Sequence, residues 1–158
     1  MTKELKQEYT LRITQANKTQ LITILYEMAL AYVDEGKEAL AAGNRTEFKN
    51  AVRRIQGCMC ELMDSLHLEY EVAQNLLQLY LYVNREVAKA ALYNNGENLE
   101  HVRLVLENLA AAYRQIEGQD TTGPVMGNTQ TVYAGLTYGR DNLTESAADP
   151  AANRGYSV

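Results

Sequence analysis

Apolar residues recur in steps of three and four along four separate stretches of the chain, the spacing that lines one face of an α-helix rather than one face of a strand. In the first stretch Leu21, Leu25, Met28, Tyr32 and Ala39 form an inner row, and Ile22, Ala29 and Val33 widen it. In the second, Phe48, Val52, Ile55, Met59, Leu62 and Leu66 alternate steps of four and three, a coiled-coil-like seam. The third is the most apolar: Val72, Leu76, Leu79, Tyr80, Val83, Val87 and Ala90 share one stripe. Beside it Leu77, Leu81 and Ala88, with Asn84 between them, make a second row about a quarter to a third of a turn away. The fourth stretch carries Leu99, Val102, Leu106, Leu109, Tyr113 and Ile116.

Polar residues punctuate these runs. Asn17-Lys18-Thr19-Gln20 and Asn44-Arg45-Thr46-Glu47 have the form of capping boxes, and Gly43 lies where a left-handed residue closes the first helix. Asn94-Asn95-Gly96 is a stop, with Asn95 or Asn98 available to cap the fourth helix, and Gly118 ends that helix. Between the second and third stretches the phase breaks near His67-Leu68-Glu69 without a Gly or Pro. A turn there and one long helix from 46 to 94 both remain open. The expected fold is all-α: an antiparallel up-down four-helix bundle over 17–117. An N-terminal arm precedes it over 1–16, with Leu5, Tyr9, Leu11 and Ile13 scattered along it. A low-complexity, flexible tail occupies 118–158 and holds the two prolines, Pro124 and Pro150. Within the tail, Val132 to Gly139 is more apolar and aromatic than a spacer requires.

Composition narrows the function. The 158 residues carry a net charge of −5, with a pI near 5.1, which argues against a nucleic-acid footprint. Arg45, Lys49, Arg53 and Arg54 read as a solvated helix face. The sequence contains neither a membrane-spanning apolar run nor the hydrophobic core of a secretory signal, so a cytoplasmic protein without a membrane partner is expected. Cys58 and Cys60 stand two apart on a helix, pointing roughly 200° from one another. They read as reduced thiols that share no metal. Asp64-x-x-His67 is a near miss for a bundle metal motif, and His101 comes directly after Glu100, the wrong offset. Neither a cofactor nor a metal is expected, and without a phosphate loop or nucleophile motif neither is catalysis.

What remains is surface. The second row on the third helix needs a cover: the chain's own arm, a second copy, or a segment of another protein. Ala51, Cys58 and Met63 flank the second helix, while Leu104, Val105, Ala111 and Ala112 flank the fourth. Together with flexible Met28, Met59 and Met63 they suit a groove that receives an apolar segment.

The third stretch also resembles the FliS-type flagellin export chaperones. Glu71-Val72-Ala73-Gln74-Asn75-Leu76, then Leu79-Tyr80-x-Tyr82 and Arg85, is similar to that family's Glu-Ile-Ala-x-Asn-Leu and Leu-Tyr-x-Tyr-x-x-Arg pattern. Leu21 to Tyr26 resembles its first helix, and Gln56 with Glu61-Leu62 its second, so the likeness runs over about 9–117. The chain departs from it at Asn17-Lys18, Glu27-Met28 and Tyr113. The resemblance implies a four-helix bundle with a turn near 67–70, and a cytoplasmic chaperone without ATP chemistry. The client that the resemblance implies is the disordered C-terminal segment of flagellin, to be kept from polymerising and delivered to the flagellar type III secretion apparatus. The client wraps around the bundle, displacing an arm that covers part of the surface. Tyr9 is similar to the arm tyrosine, and Tyr82 and Arg85 match motif positions near the client. Met63, Leu77, Leu81 and Ala88 join the expected groove from helical spacing alone. For Tyr133 to Tyr138 two readings stand, plain disorder with the rest of the tail and, from its apolar aromatic character, a second occupant of that groove. The alternatives are a self-associating structural bundle, an adaptor with a different client, and a homodimer of the empty chaperone.

Overall fold

Caps decide where the helices begin and end in the computed structural model, which describes residues 1–125. Helix α1 (Lys3–Gln15) starts where the Thr2 hydroxyl accepts the Leu5 amide. Helix α2 (Lys18–Ala41) opens on a complete capping box between Asn17 and Gln20. Gly43, at φ 70°, turns the chain left-handed, and Asn44 then accepts the Glu47 amide to start α3 (Arg45–Asp64). Helix α4 (Glu71–Tyr93) ends at Asn94 in the left-handed region, and Asn95 caps α5 (Gly96–Glu117).

The long-helix alternative is settled against by residues 65–70. The Ser65 hydroxyl donates to Leu62 O at 2.6 Å, the Tyr70 amide donates to His67 O at 3.1 Å, and the Gln74 amide group reaches back to Leu68 O. These local bonds take over from the helical ladder where neither Gly nor Pro is present. Helix α4 starts at Glu71, and Tyr70 before it makes no side-chain cap bond.

Pairs of side chains fix the directions. Between α2 and α5, Lys37 meets Glu100, Asp34 meets Arg103 and Glu27 meets Arg114, so the numbers run oppositely. Between α2 and α3, Glu35 lies near Arg54 and Gly36 near Ala51 and Phe48, again in opposed order, and Met63 of α3 lies beside Asn84 of α4. Helix α2 packs on α3 and α5, and α4 closes the square against the same two. Helix α1 packs on α2 alone. The arm expected over 1–16 is therefore a docked fifth helix beside an antiparallel bundle.

The core runs through Tyr26, Val33, Ile55, Met59, Leu62, Val83, Val87, Leu99 and Leu106. The α3 seam is buried as its spacing indicates, with Leu66 partly covered beyond the helix end. Two rows differ from expectation. On α2 the central line is Ile22, Ala29 and Val33, whereas Leu21, Met28 and Tyr32 are half-buried. On α4 the inward line is Ala73, Tyr80, Val83, Val87 and Ala90, with Val72 at 67% and Leu79 at 40% exposure. The inward side of α4 contains a small residue and a carboxylate, Ala73 and Glu86, so hydropathy drew the stripe too wide. Glu86 is buried because His101, Asn98 and Lys89 all reach it, and the His101 bond chiefly lowers its pKa.

The spare flank of α3 is partly absorbed. Ala51 and Cys58 are buried, and Gly36 of α2 comes close enough that an added Cβ would lie 3.4 Å from Ala51 Cβ. Burial pushes the Cys58 thiol up to about 12, while Cys60 is exposed, so only one cysteine behaves as a small core residue. At the start of the tail, Asp120 and Val125 hydrogen-bond to the α1–α2 corner. Residues 126–158, including Tyr133 to Tyr138, lie outside the described residues. None of the described helices is long and apolar enough to cross a membrane.

Candidate partner-binding surface

The outer face of α2 carries its own apolar cluster, distinct from the bundle core. Tyr9, Ile13 and Ala16 bury against Ile24, with Leu5, Leu21 and Met28 partly covered around them. Charges hold both ends of α1. Glu27 takes Arg12 of α1 at 2.6 Å and Arg114 of α5 at 3.3 Å, while Glu35 pairs with the terminal ammonium and lies 3.9 Å from Arg54 of α3. Helix α1 thus lies across α2, tied toward α3 at one end and toward α5 at the other. The Arg12 guanidinium also lies 5.6 Å from the Tyr9 ring centre. Glu27-Met28, where the chain departs from the family pattern, is also where the arm is held: Glu27 by its ion pairs and Met28 by bordering both clusters.

The other candidates gather elsewhere. Leu77 and Tyr82 are half-buried, Leu81 is 38% exposed, and Arg85 and Ala88 face outward on α4. The Arg85 guanidinium is 6.0 Å from the Tyr82 ring centre. Met63, near the end of α3, is half-buried with its sulfur 3.9 Å from the Asn84 side-chain nitrogen. The Asn84 oxygen is buried without a hydrogen-bond partner inside this otherwise apolar row. Tyr9 does not join these residues, because α1 touches neither α3 nor α4.

Spacing missed a third patch. Leu68, Tyr70, Val72 and Ile116 are exposed around the α3–α4 turn, with Leu79 exposed further along α4. Beside them a cleft of about 290 Å³ is lined by Ile22, Leu66, Tyr70, Val72, Leu76 and Ile116. The signal is present in the sequence: Leu68, Tyr70 and Val72 recur every second residue across the phase break, which no single helix face can bury. Two motif tyrosines have a different role from the groove. Tyr26 and Tyr80 are buried hydroxyl to hydroxyl at 2.5 Å, and Tyr113 packs edge-on to Tyr26 at 5.3 Å. Burial raises both phenol pKa values, that of Tyr80 to about 12, so these groups are neutral structural links between α2, α4 and α5. No group of three or more potential metal-ligating side chains occurs among the described residues.

The small bundle lays one helix over a separate apolar seat and leaves further apolar rows on its surface. Its sequence matches the family described as Flagellar protein FliS over residues 1–120, and the chain belongs to that family. It is similar to the flagellar secretion chaperone FliS of Escherichia coli (strain K12), at 24% identity over 107 residues, spanning 65% of this chain and 78% of the relative.

Proposed function

We propose that this protein is a flagellar export chaperone that binds the disordered C-terminal segment of flagellin in the cytoplasm. It blocks premature polymerisation and hands the subunit to the flagellar type III secretion apparatus. The observation that carries this reading is the separateness of the α1 seat. Tyr9 and Ile13 cover Ile24, Leu21 and Met28 without entering the main core, and among the described helices α1 packs on α2 alone. Lifting α1 away would therefore open an apolar surface on α2 while leaving the four-helix core closed. A disordered client spends ordering entropy when it binds, so its host must supply a large apolar surface that is covered when empty. The α2 seat supplies one part of that surface. The α4 row of Leu77, Leu81 and Ala88, with Met63, Tyr82 and Arg85 at its margins, supplies another.

Isothermal titration of the full chain with a flagellin C-terminal peptide tests this. A peptide of about 40 residues is long enough for one helix the length of the 24-residue α2 and a shorter second segment. One-to-one binding with a strongly negative heat-capacity change is expected. The exposed Leu79 and Leu81 favour a competing reading in which the empty protein pairs with a second copy. Concentration-dependent dimerisation without peptide binding would select it.

A further inference from the structure

Two residues, Ala16 and Asn17, join α1 to α2, and any release of the arm must turn about them. Such a corner ordinarily faces water. Here Ala16 is 4% exposed and Asn17 5%. What secures the corner arrives from the other end of the described chain, after α5. The Val125 amide donates to Ala16 O at 3.0 Å, and the Asn17 side-chain amide donates to Asp120 O at 3.3 Å. The Thr19 hydroxyl donates to an Asp120 carboxylate oxygen at 2.6 Å, and the Thr122 amide and hydroxyl donate to the other. The bonds fall on both sides of the corner: Val125 grips the arm side, Asp120 the α2 side. The arrangement also uses what capping leaves over. The Asn17 oxygen is occupied by the Gln20 amide, so its nitrogen is the group free to hold the segment after α5.

We propose that residues 118–125 are a latch that holds the α1–α2 hinge closed, and that an interaction which draws this segment off the corner releases the arm. The latch makes the arm's docking depend on the opposite terminus of the bundle, so occupancy of the α2 seat can be controlled from outside the seat. This regulation rests on the reading of α1 as a displaceable cover. Its test contains no client, so a failure of the flagellin reading would not be mistaken for a failure of the latch.

Asp120→Ala removes the carboxylate that Thr19 and Thr122 bond, and Val125→Pro removes the amide that bonds Ala16. Both changes lie outside the five helices, so the bundle is expected to fold. Hydrogen exchange on the full-length chain compares each variant with the parent. The expected result is exchange about tenfold faster across the hydrogen-bonded amides of α1, with α2–α5 unchanged. Unchanged α1 exchange in both variants would overturn the latch. So would an acceleration spread evenly over all five helices, since it would make the segment a general contributor to stability.

Discussion

The bundle interior and the arm's seat are both apolar, but they are built to different standards. In the interior, residues from four helices enclose one another, so that Ile55, Met59, Val83, Leu99 and Leu106 lose all contact with water. The seat is a two-helix contact in which Tyr9, Ile13 and Ala16 meet Ile24, rimmed by half-buried Leu21 and Met28 and pinned by ion pairs at its edges. The interior has no part that can leave alone, because each helix packs on two others. The arm packs on one of the described helices, and a helix held on one side only is expected to open at a free energy below that of global unfolding. On the proposed reading, this separation lets the cover leave while the fold stays intact.

The largest expected effect breaks the interior. Leu106→Ala should lower the unfolding free energy by about 2–5 kcal/mol in a urea titration. A loss well under that range would mean the interior is looser than the comparison requires. Next in size is the seat. Replacing Tyr9 and Ile13 together by Ala should abolish α1 protection in hydrogen exchange, leave the main unfolding transition in place, and tighten flagellin-peptide binding by about tenfold, because the bound form no longer competes with the docked arm. Cooperative unfolding of the whole protein in that variant would erase the distinction between the two regions.

A smaller effect on the fold is expected from the outward row of α4. Leu81→Glu places a charge on a partly exposed position and should change stability by no more than about 0.5 kcal/mol, while peptide affinity falls. Substantial destabilisation would move Leu81 into the interior class. The smallest test perturbs nothing: with a thiol reagent on the native protein near neutral pH, Cys60 should label promptly and Cys58 should resist, because burial both shields its sulfur and pushes its pKa up to about 12. Equal labelling would mean that the α2–α3 contact opens readily.

The same division separates the parts of the molecule that are legible in the sequence from those that are not. The caps at Asn17, Asn44 and Asn95 and the α3 seam are legible because a cap is a local bond and a seam on one helix has one period. Helix α4 is legible in part: Tyr80, Val83, Val87 and Ala90 lie inward as their spacing indicates, but Ala73 and Glu86 complete the line in place of Val72 and Leu79. Glu86 is tolerated through His101 and Asn98 of the next helix together with Lys89. A partner far along the chain is invisible to periodicity. The same applies to α1, whose sparse apolar residues look like an arm until Ile24 and Glu27 are placed beneath them, and to the corner at Ala16–Asn17, secured by residues more than a hundred positions away. The outward residues Leu77, Leu81 and Ala88 are legible as a row, but their separation from Tyr9 depends on which helix α1 chooses.

The most direct test of the central claim is hydrogen exchange of the full chain with and without a saturating flagellin C-terminal peptide. If the α2 face under the arm is the client's seat, the α1 amides lose protection on binding while those of α2–α5 keep or gain it. Saturating peptide that leaves α1 as protected as in the free protein would contradict the account, because client and arm would then occupy different surfaces.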